Sequence, residues 1–116
     1  MIHGIGIDIV EVARIARAIE RWGNHFLNHV YCEEEIEYAF RHRYPFQHFA
    51  GRFAAKEAVI KAISNNPHIQ WKNIKILNDK NGKPVCDYQD KKFKYPILIS
   101  ISHTSTHATA CAIIAS

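Results

Sequence analysis

Hydrophobic and polar positions alternate strictly at the start of the chain. In Ile2-His-Gly-Ile-Gly-Ile-Asp-Ile-Val10, the side chains of Ile5, Ile7 and Ile9 fall on one face and Gly4, Gly6 and Asp8 on the other. The period of two predicts a half-buried strand over residues 2–10. From Glu11 to Trp22 the period becomes helical. Val12, Ile15, Ala16 and Ile19 make the apolar side, while Arg14, Arg17 and Arg21 line another flank. Gly23-Asn24 breaks this helix, and His25–Tyr31 is a short amphipathic segment. A further helix is predicted over Cys32–Arg43, with Ile36, Ala39 and Phe40 apolar. Glu33, Glu34 and Glu35 open it and Arg41, His42 and Arg43 close it, the order that the helix dipole favours. That order accounts for the three acids without a catalytic role.

Pro45 marks the turn into the central helix, Gly51-Arg-Phe-Ala-Ala-Lys-Glu-Ala-Val-Ile-Lys-Ala62, which is rich in good helix formers. Phe46, Phe49, Phe53, Ile60 and Ile63 trace one stripe along it, expected to be buried, and Glu57 falls within that stripe. A carboxylate on the core side is costly unless paired. The helix is expected to end near Asn65-Asn66-Pro67. The remainder reads as strands. Asn73–Asn78 and Pro84–Tyr88 flank an Asn81-Gly82 turn signal, Pro96–Ser102 alternates, and Ala108–Ala115 is apolar enough to be buried on both faces. Helices followed by strands predict an α+β chain, a mainly antiparallel sheet packed on helices.

Composition narrows the class. The 116 residues, 47% hydrophobic and 22% charged, fit one globular domain spanning 1–116. No apolar run reaches the ~20 residues of a membrane span. The opening segment meets Asp8 with no basic region before it, so it is not read as a signal peptide. Cys32, Cys86 and Cys111 show no zinc-type spacing and are expected to be reduced packing residues in a cytoplasmic protein. The net charge of +4 suits an anionic partner without naming one. Most of the eight histidines are expected at the surface.

Two carboxylates oppose their local pattern: Asp8 beside two strand glycines, and Glu57 on the helix stripe. Bare backbone beside Asp8 suits close approach by a ligand or metal; the plainer alternative is a solvated acid on an exposed face. Lys61, four residues after Glu57, forms either an ordinary surface ion pair or part of a site. Together the three suit Mg²⁺, which takes one or two carboxylates with phosphate and water, and a lysine for phosphoryl oxygens. The Arg14, Arg17 and Arg21 row is either a solvated face or a docking surface for an acidic partner. His103 is a loop histidine or a phosphate contact at a strand end. Gly4-x-Gly6 lacks a third glycine, which excludes a dinucleotide fingerprint.

At these residues the chain resembles a known family. Gly6-Ile-Asp-Ile-Val-Glu11 and Phe53-Ala-Ala-Lys-Glu-Ala-Val-Ile-Lys-Ala62 are similar to the two signature motifs of the 4′-phosphopantetheinyl transferases. Ala50-Gly51-Arg52, the Asn81-Gly82-Lys83-Pro84 turn and Ser100-Ile-Ser-His-Thr104 narrow the resemblance to the short bacterial type, the holo-acyl-carrier-protein synthases. The resemblance implies transfer of the phosphopantetheine arm of coenzyme A to a serine of apo acyl carrier protein, releasing adenosine 3′,5′-bisphosphate, in support of fatty-acid biosynthesis. It implies that Asp8 and Glu57 hold Mg²⁺ and that Lys61 stabilises phosphoryl charge. It implies that Arg52, Gly82, Lys83, Pro84 and His103 line the nucleotide, and that Arg14, Arg17 and Arg21 face the carrier protein. The base that takes the serine proton is left open between Glu57 and a water on the metal. It also implies a homotrimer with sites between subunits. Cys32 departs from an expected capping residue such as Thr, which weakens a helix cap only. Two other classes fit less well. A polyanion-binding module leaves Asp8 and Glu57 unexplained, and a metal-dependent nucleotide hydrolase lacks the usual phosphate loop. Neither nucleic acid nor a membrane is expected as a partner.

Overall fold

The computed structural model describes residues 1–63 and 68–116. The expected helix end at Asn65-Asn66-Pro67 lies outside the described residues. Strand β1 (Ile2–Glu11) leads into helix α1 (Val12–Trp22), then α2 (Asn24–Val30), α3 (Glu33–Phe40) and the long α4 (Pro45–Ile63). A 3₁₀ turn at Trp71–Asn73 precedes strands β2 (Ile74–Asn78), β3 (Pro84–Tyr88), β4 (Ile97–His103) and β5 (His107–Ala115). The predicted strands hold to within a residue or two at each end, because alternation and turn residues mark them strongly.

One antiparallel sheet has the order β1-β5-β4, and β2-β3 form a separate antiparallel hairpin. In the larger sheet the outer strands, β1 and β4, both pair with β5, and helix α4 packs across the face formed by β1 and β5. The glycines of β1 make this possible. A Cβ at Gly4 would lie 2.1 Å from the carbonyl oxygen of Ala62, and one at Gly6 would lie 1.9 Å from that of Ala58. Their bare backbone therefore serves close approach by the helix rather than by a ligand. Where α4 meets the sheet its own residues are small as well: Ala54, Ala55, Ala58 and Ala62 are buried beside Phe49 and Val59.

This geometry corrects the expected stripe. Of Phe46, Phe49, Phe53, Ile60 and Ile63 only Phe49 is fully buried; the other four and Glu57 flank the helix at intermediate depth. Alanines carry little hydrophobic signal, so the large side chains drew the stripe onto the flank of the real contact face.

The opposite face of the sheet is open. Ile5, Ile7 and Ile9 are about two-thirds exposed, at 67%, 66% and 67%. They pair in register with Ile113, Cys111 and Thr109 of β5, which in turn stand opposite Leu98, Ser100 and Ser102 of β4. Strand β5 is thus buried along Ala108, Ala110, Ala112 and Ile114 only, not on both faces.

Candidate active site

Strand β1 runs back along α4 with Gly4 over Ala62 and Gly6 over Ala58, so the next residue on that face, Asp8, reaches the turn of Glu57. Asp8 and Glu57 line a single groove of about 330 Å³ with Arg14 of α1 and the apolar walls Phe26, Phe53 and Trp71. Lys61 is tied to Asp8: its Nζ donates to the Asp8 carboxylate at 3.1 Å and to the Ile7 carbonyl at 3.0 Å. The lysine side chain is 54% exposed, so this ion pair is loosely held and screened. Thr109 Oγ1 donates to the Asp8 carbonyl at 2.9 Å and fixes the backbone there. Glu57 also borders a second groove, on its other side, with His29, Gln70 and Lys72; Trp71 is the wall common to both.

Immediately before Glu57 stands the feature that sequence reasoning missed. Lys56 is completely buried, and its ammonium donates to Glu35 Oε1 at 2.8 Å, the Val30 carbonyl at 2.7 Å and the Trp71 carbonyl at 3.1 Å. Glu35, equally buried, accepts from the backbone N–H of Cys32 at 2.7 Å and of Ile76 at 2.9 Å. Each polar hydrogen of the ammonium has an acceptor, which is the condition for keeping a charge in a core. Burial pulls the Lys56 pKa down, while Glu35 works against that shift. The network ties α2, α3, α4, the 3₁₀ turn and β2 together behind the groove. Glu35 is thus more than a first-turn acid, and its bond to the Cys32 N–H supplies capping despite the cysteine. The available signal was Glu at the third helical position, a capping-box pattern. The thiols fit packing roles: Cys32 is buried, and burial pushes the Cys86 pKa up to about 12.

The residues expected to line a nucleotide gather elsewhere. Arg52, Gly82, Pro84 and His103 border a mouth of about 150 Å³, together with Tyr38, His48 and Asn78, while Lys83 is exposed on the adjoining turn. The turn is built on Asp79, whose carboxylate accepts from the N–H groups of Asn81 at 2.8 Å and Lys83 at 2.9 Å. Asn78 links the turn to α4, donating to the Gly82 carbonyl at 2.9 Å and accepting from the Arg52 guanidinium. Arg52 is 5% exposed, lies 4.1 Å over the Tyr38 ring, and keeps a buried Nε that has no hydrogen-bond partner. Burial lowers its pKa, partly offset by Tyr38 and Glu35.

The Asp8–Glu57 groove and this mouth share no lining residue. Arg52 and Glu57 are five positions apart on one helix, which turns them roughly 140° from each other and spaces them about 7.5 Å along its axis. The structure thus brings Asp8, Glu57, Lys61 and Arg14 together, and Arg52, Gly82, Pro84 and His103 together, but does not merge the two sets. Arg17 and Arg21 lie further along α1 on an exposed surface with Trp22, whose ring the Arg21 guanidinium covers at 4.9 Å.

The family model described as the 4′-phosphopantetheinyl transferase superfamily matches residues 4–113. The chain belongs to that family. It is therefore a phosphopantetheinyl transferase, and its α+β architecture is the family's. A holo-[acyl-carrier-protein] synthase from Thermodesulfovibrio yellowstonii is 46% identical over 114 residues, covering 98% of this chain and 99% of that protein. Among solved structures, the holo-(acyl-carrier-protein) synthase of Bacillus anthracis in complex with CoA (3′,5′-ADP) superposes with a TM-score of 0.85 at 32% identity, over 98% of this chain and 96% of that one. The Helicobacter pylori holo-[acyl-carrier-protein] synthase in complex with coenzyme A gives 0.86 at 30% identity, over 96% and 99%. The resemblance carried by the two short motifs thus extends to the whole fold. Among the described residues, no helix is long and apolar enough to cross a membrane.

Proposed function

We propose that this chain moves the 4′-phosphopantetheine arm of coenzyme A onto a serine of apo acyl carrier protein, in the cytoplasm and in support of fatty-acid biosynthesis. The observation that carries the reading is the groove that Asp8 and Glu57 line together, with Lys61 paired to Asp8, in a chain of this family. The serine oxygen forms a new bond to the phosphorus that bears the pantetheine. The pyrophosphate P–O bond breaks, and adenosine 3′,5′-bisphosphate leaves with the bonding pair. Lys61 offers its ammonium to the phosphoryl oxygens as their charge grows. Glu57 is the candidate within the chain to accept the serine proton. Arg52, His103 and the Gly82-Lys83-Pro84 turn hold the nucleotide. Arg14 at the groove's rim, with Arg17 and Arg21 beyond it, faces the acidic carrier and steers its approach.

The donor set fits a hard divalent cation. Asp8 and Glu57 offer oxygen ligands only, and a groove of about 330 Å³ leaves room for water and substrate phosphate, the way Mg²⁺ is usually held. When bound there, Mg²⁺ would neutralise pyrophosphate charge.

The site is read as shared between subunits of a homotrimer. Two observations support this: the open isoleucine face, an apolar patch of the kind that marks interfaces, and the separation of the two halves of the site on α4. Sedimentation of the wild type should give a trimer, and Ile7→Asp should give an inactive monomer. A wild-type monomer with full activity would remove the shared-site reading.

The reaction is tested by the intact mass of an apo acyl carrier protein incubated with this protein, coenzyme A and Mg²⁺, with and without chelator. The expected result is a gain of one phosphopantetheine that chelator abolishes. No gain with several carriers overturns the proposal.

A further inference from the structure

The nucleotide mouth holds more histidine than its expected ligands require. His48 lies one helical turn before Arg52 on α4, and its ring packs between two others. It sits 3.9 Å from the His42 ring, in a tilted stack, and 5.3 Å from the His103 ring, nearly edge-on. Tyr38 of α3 touches both His42 and His48, at 4.5 and 5.5 Å between ring centres, and carries the Arg52 guanidinium on its face. His42 is locked in one tautomer. Its Nδ1 contacts the Tyr38 carbonyl at 2.7 Å, and a carbonyl only accepts, so Nδ1 bears the hydrogen and Nε2 is the basic nitrogen.

The charged and titratable groups facing His48 are therefore His42 from the α3–α4 turn, Tyr38 from α3, Arg52 from its own helix and His103 from β4. Among the described residues, no carboxylate lines the mouth. Without an anion, His48 is surrounded by groups that oppose its charging. Burial first, and then His42, His103 and Arg52, lower its pKa to about 4.

We propose that His48 is the proton-accepting member of a phosphate clamp formed with His103 and Arg52, so that seating a phosphate monoester of the nucleotide here takes up a proton. The inference rests on the nucleotide-binding reading of this mouth and adds to it a linkage that the motif residues alone do not give. A dianion beside the ring reverses the local electrostatics: it favours imidazolium and relieves the crowding of cations. The sign follows. The bound state holds more protons than the free state above the free pKa. Affinity is therefore greatest at low pH and declines as pH rises through the bound-state pKa of His48.

The test is a histidine NMR titration of the wild-type protein, free and saturated with adenosine 3′,5′-bisphosphate, with His48 assigned through His48→Gln. The His48 midpoint should rise by about one unit or more on binding. In parallel, the dissociation constant measured from pH 4 to 7 should weaken more steeply with pH for the wild type than for His48→Gln. Taking the difference between the two proteins cancels the ligand's own phosphate titration. If the nucleotide binds and the midpoint stays near its free value, or both proteins share one slope, the clamp is wrong while the nucleotide site stands. If the wild type does not bind the nucleotide at any pH, the nucleotide-site reading falls and the clamp with it.

Discussion

Helix α4 carries two lysine–carboxylate pairs five residues apart, and they are opposites. Lys56–Glu35 is fully buried, with every ammonium hydrogen and both carboxylate oxygens engaged. Lys61–Asp8 is more than half exposed on the lysine side, its Nζ sharing two acceptors at 3.0 and 3.1 Å. The same two residue types thus serve two ends. A pair sealed in a low-dielectric core cannot be exchanged for a ligand without unfolding its surroundings, so it acts as a fixture. A pair at the mouth of a groove trades partners at little cost, which a phosphoryl-binding lysine requires. Glu57 sits between them along the helix and borders the groove.

The largest effect is expected from breaking the fixture. Lys56→Ala leaves Glu35 buried without its cation and should cost about 3–5 kcal/mol in urea unfolding. Lys56→Met combined with Glu35→Leu should recover much of that loss, since no charge is then stranded. A single substitution that costs under about 1 kcal/mol would mean that the network is not the anchor described here.

Changing the exposed lysine or its neighbouring carboxylate should show the reverse profile. Lys61→Ala and Glu57→Gln should each lower turnover by about 10²-fold or more, while unfolding free energy moves by less than about 1 kcal/mol. Should either variant keep near-normal turnover, its residue is not part of the reaction.

Much of this contrast was hidden in the sequence, and the reasons are physical. Asp8 and Glu57 could be picked out because each opposes the pattern around it, and Lys61 because it follows Glu57 by four residues; the strand boundaries could be read because alternation and turn chemistry are local. Lys56 and Glu35 lie 21 residues apart, and each alone looks like an ordinary helix-surface residue. Only the packing of α3 on α4 turns them inward. The α4 stripe was misplaced for a related reason, since the true contact face is made of alanines that fit against Gly4 and Gly6. Beyond its i,i+4 spacing from Arg52, nothing local sets His48 apart from the other histidines; the packing of α3 and β4 around it does.

A smaller effect sharpens the exposed side of the comparison. Arg14→Glu, at the rim of the groove, should raise the KM for carrier protein about tenfold and leave coenzyme A binding unchanged, with a salt dependence weaker than that of the wild type. Loss of both together, measured by calorimetry, would make α1 a structural element only.

The smallest effect concerns pH. The His48 pKa lies below its unfolded value, at about 4, so the unfolded chain binds more protons between roughly 6.5 and 4. Stability should therefore fall as pH drops through that window, and His48→Gln should flatten the decline in thermal melts. Equal slopes for the two proteins would show that His48 is already solvated.

The strand order has a consequence for how the molecule is made. Among the described residues, residues 2–11 find their ladder partner only in residues 107–115. During synthesis, at ~5–20 residues per second, the isoleucine strand emerges well before its partner and waits several seconds for the strand that will sit beside it. Contacts of such long sequence separation slow folding, and an unpaired apolar strand is a template for aggregation. The glycines between the isoleucines are poor strand formers. The feature that lets α4 sit close in the finished molecule therefore also keeps the waiting segment from pairing too readily with a neighbour on the same message.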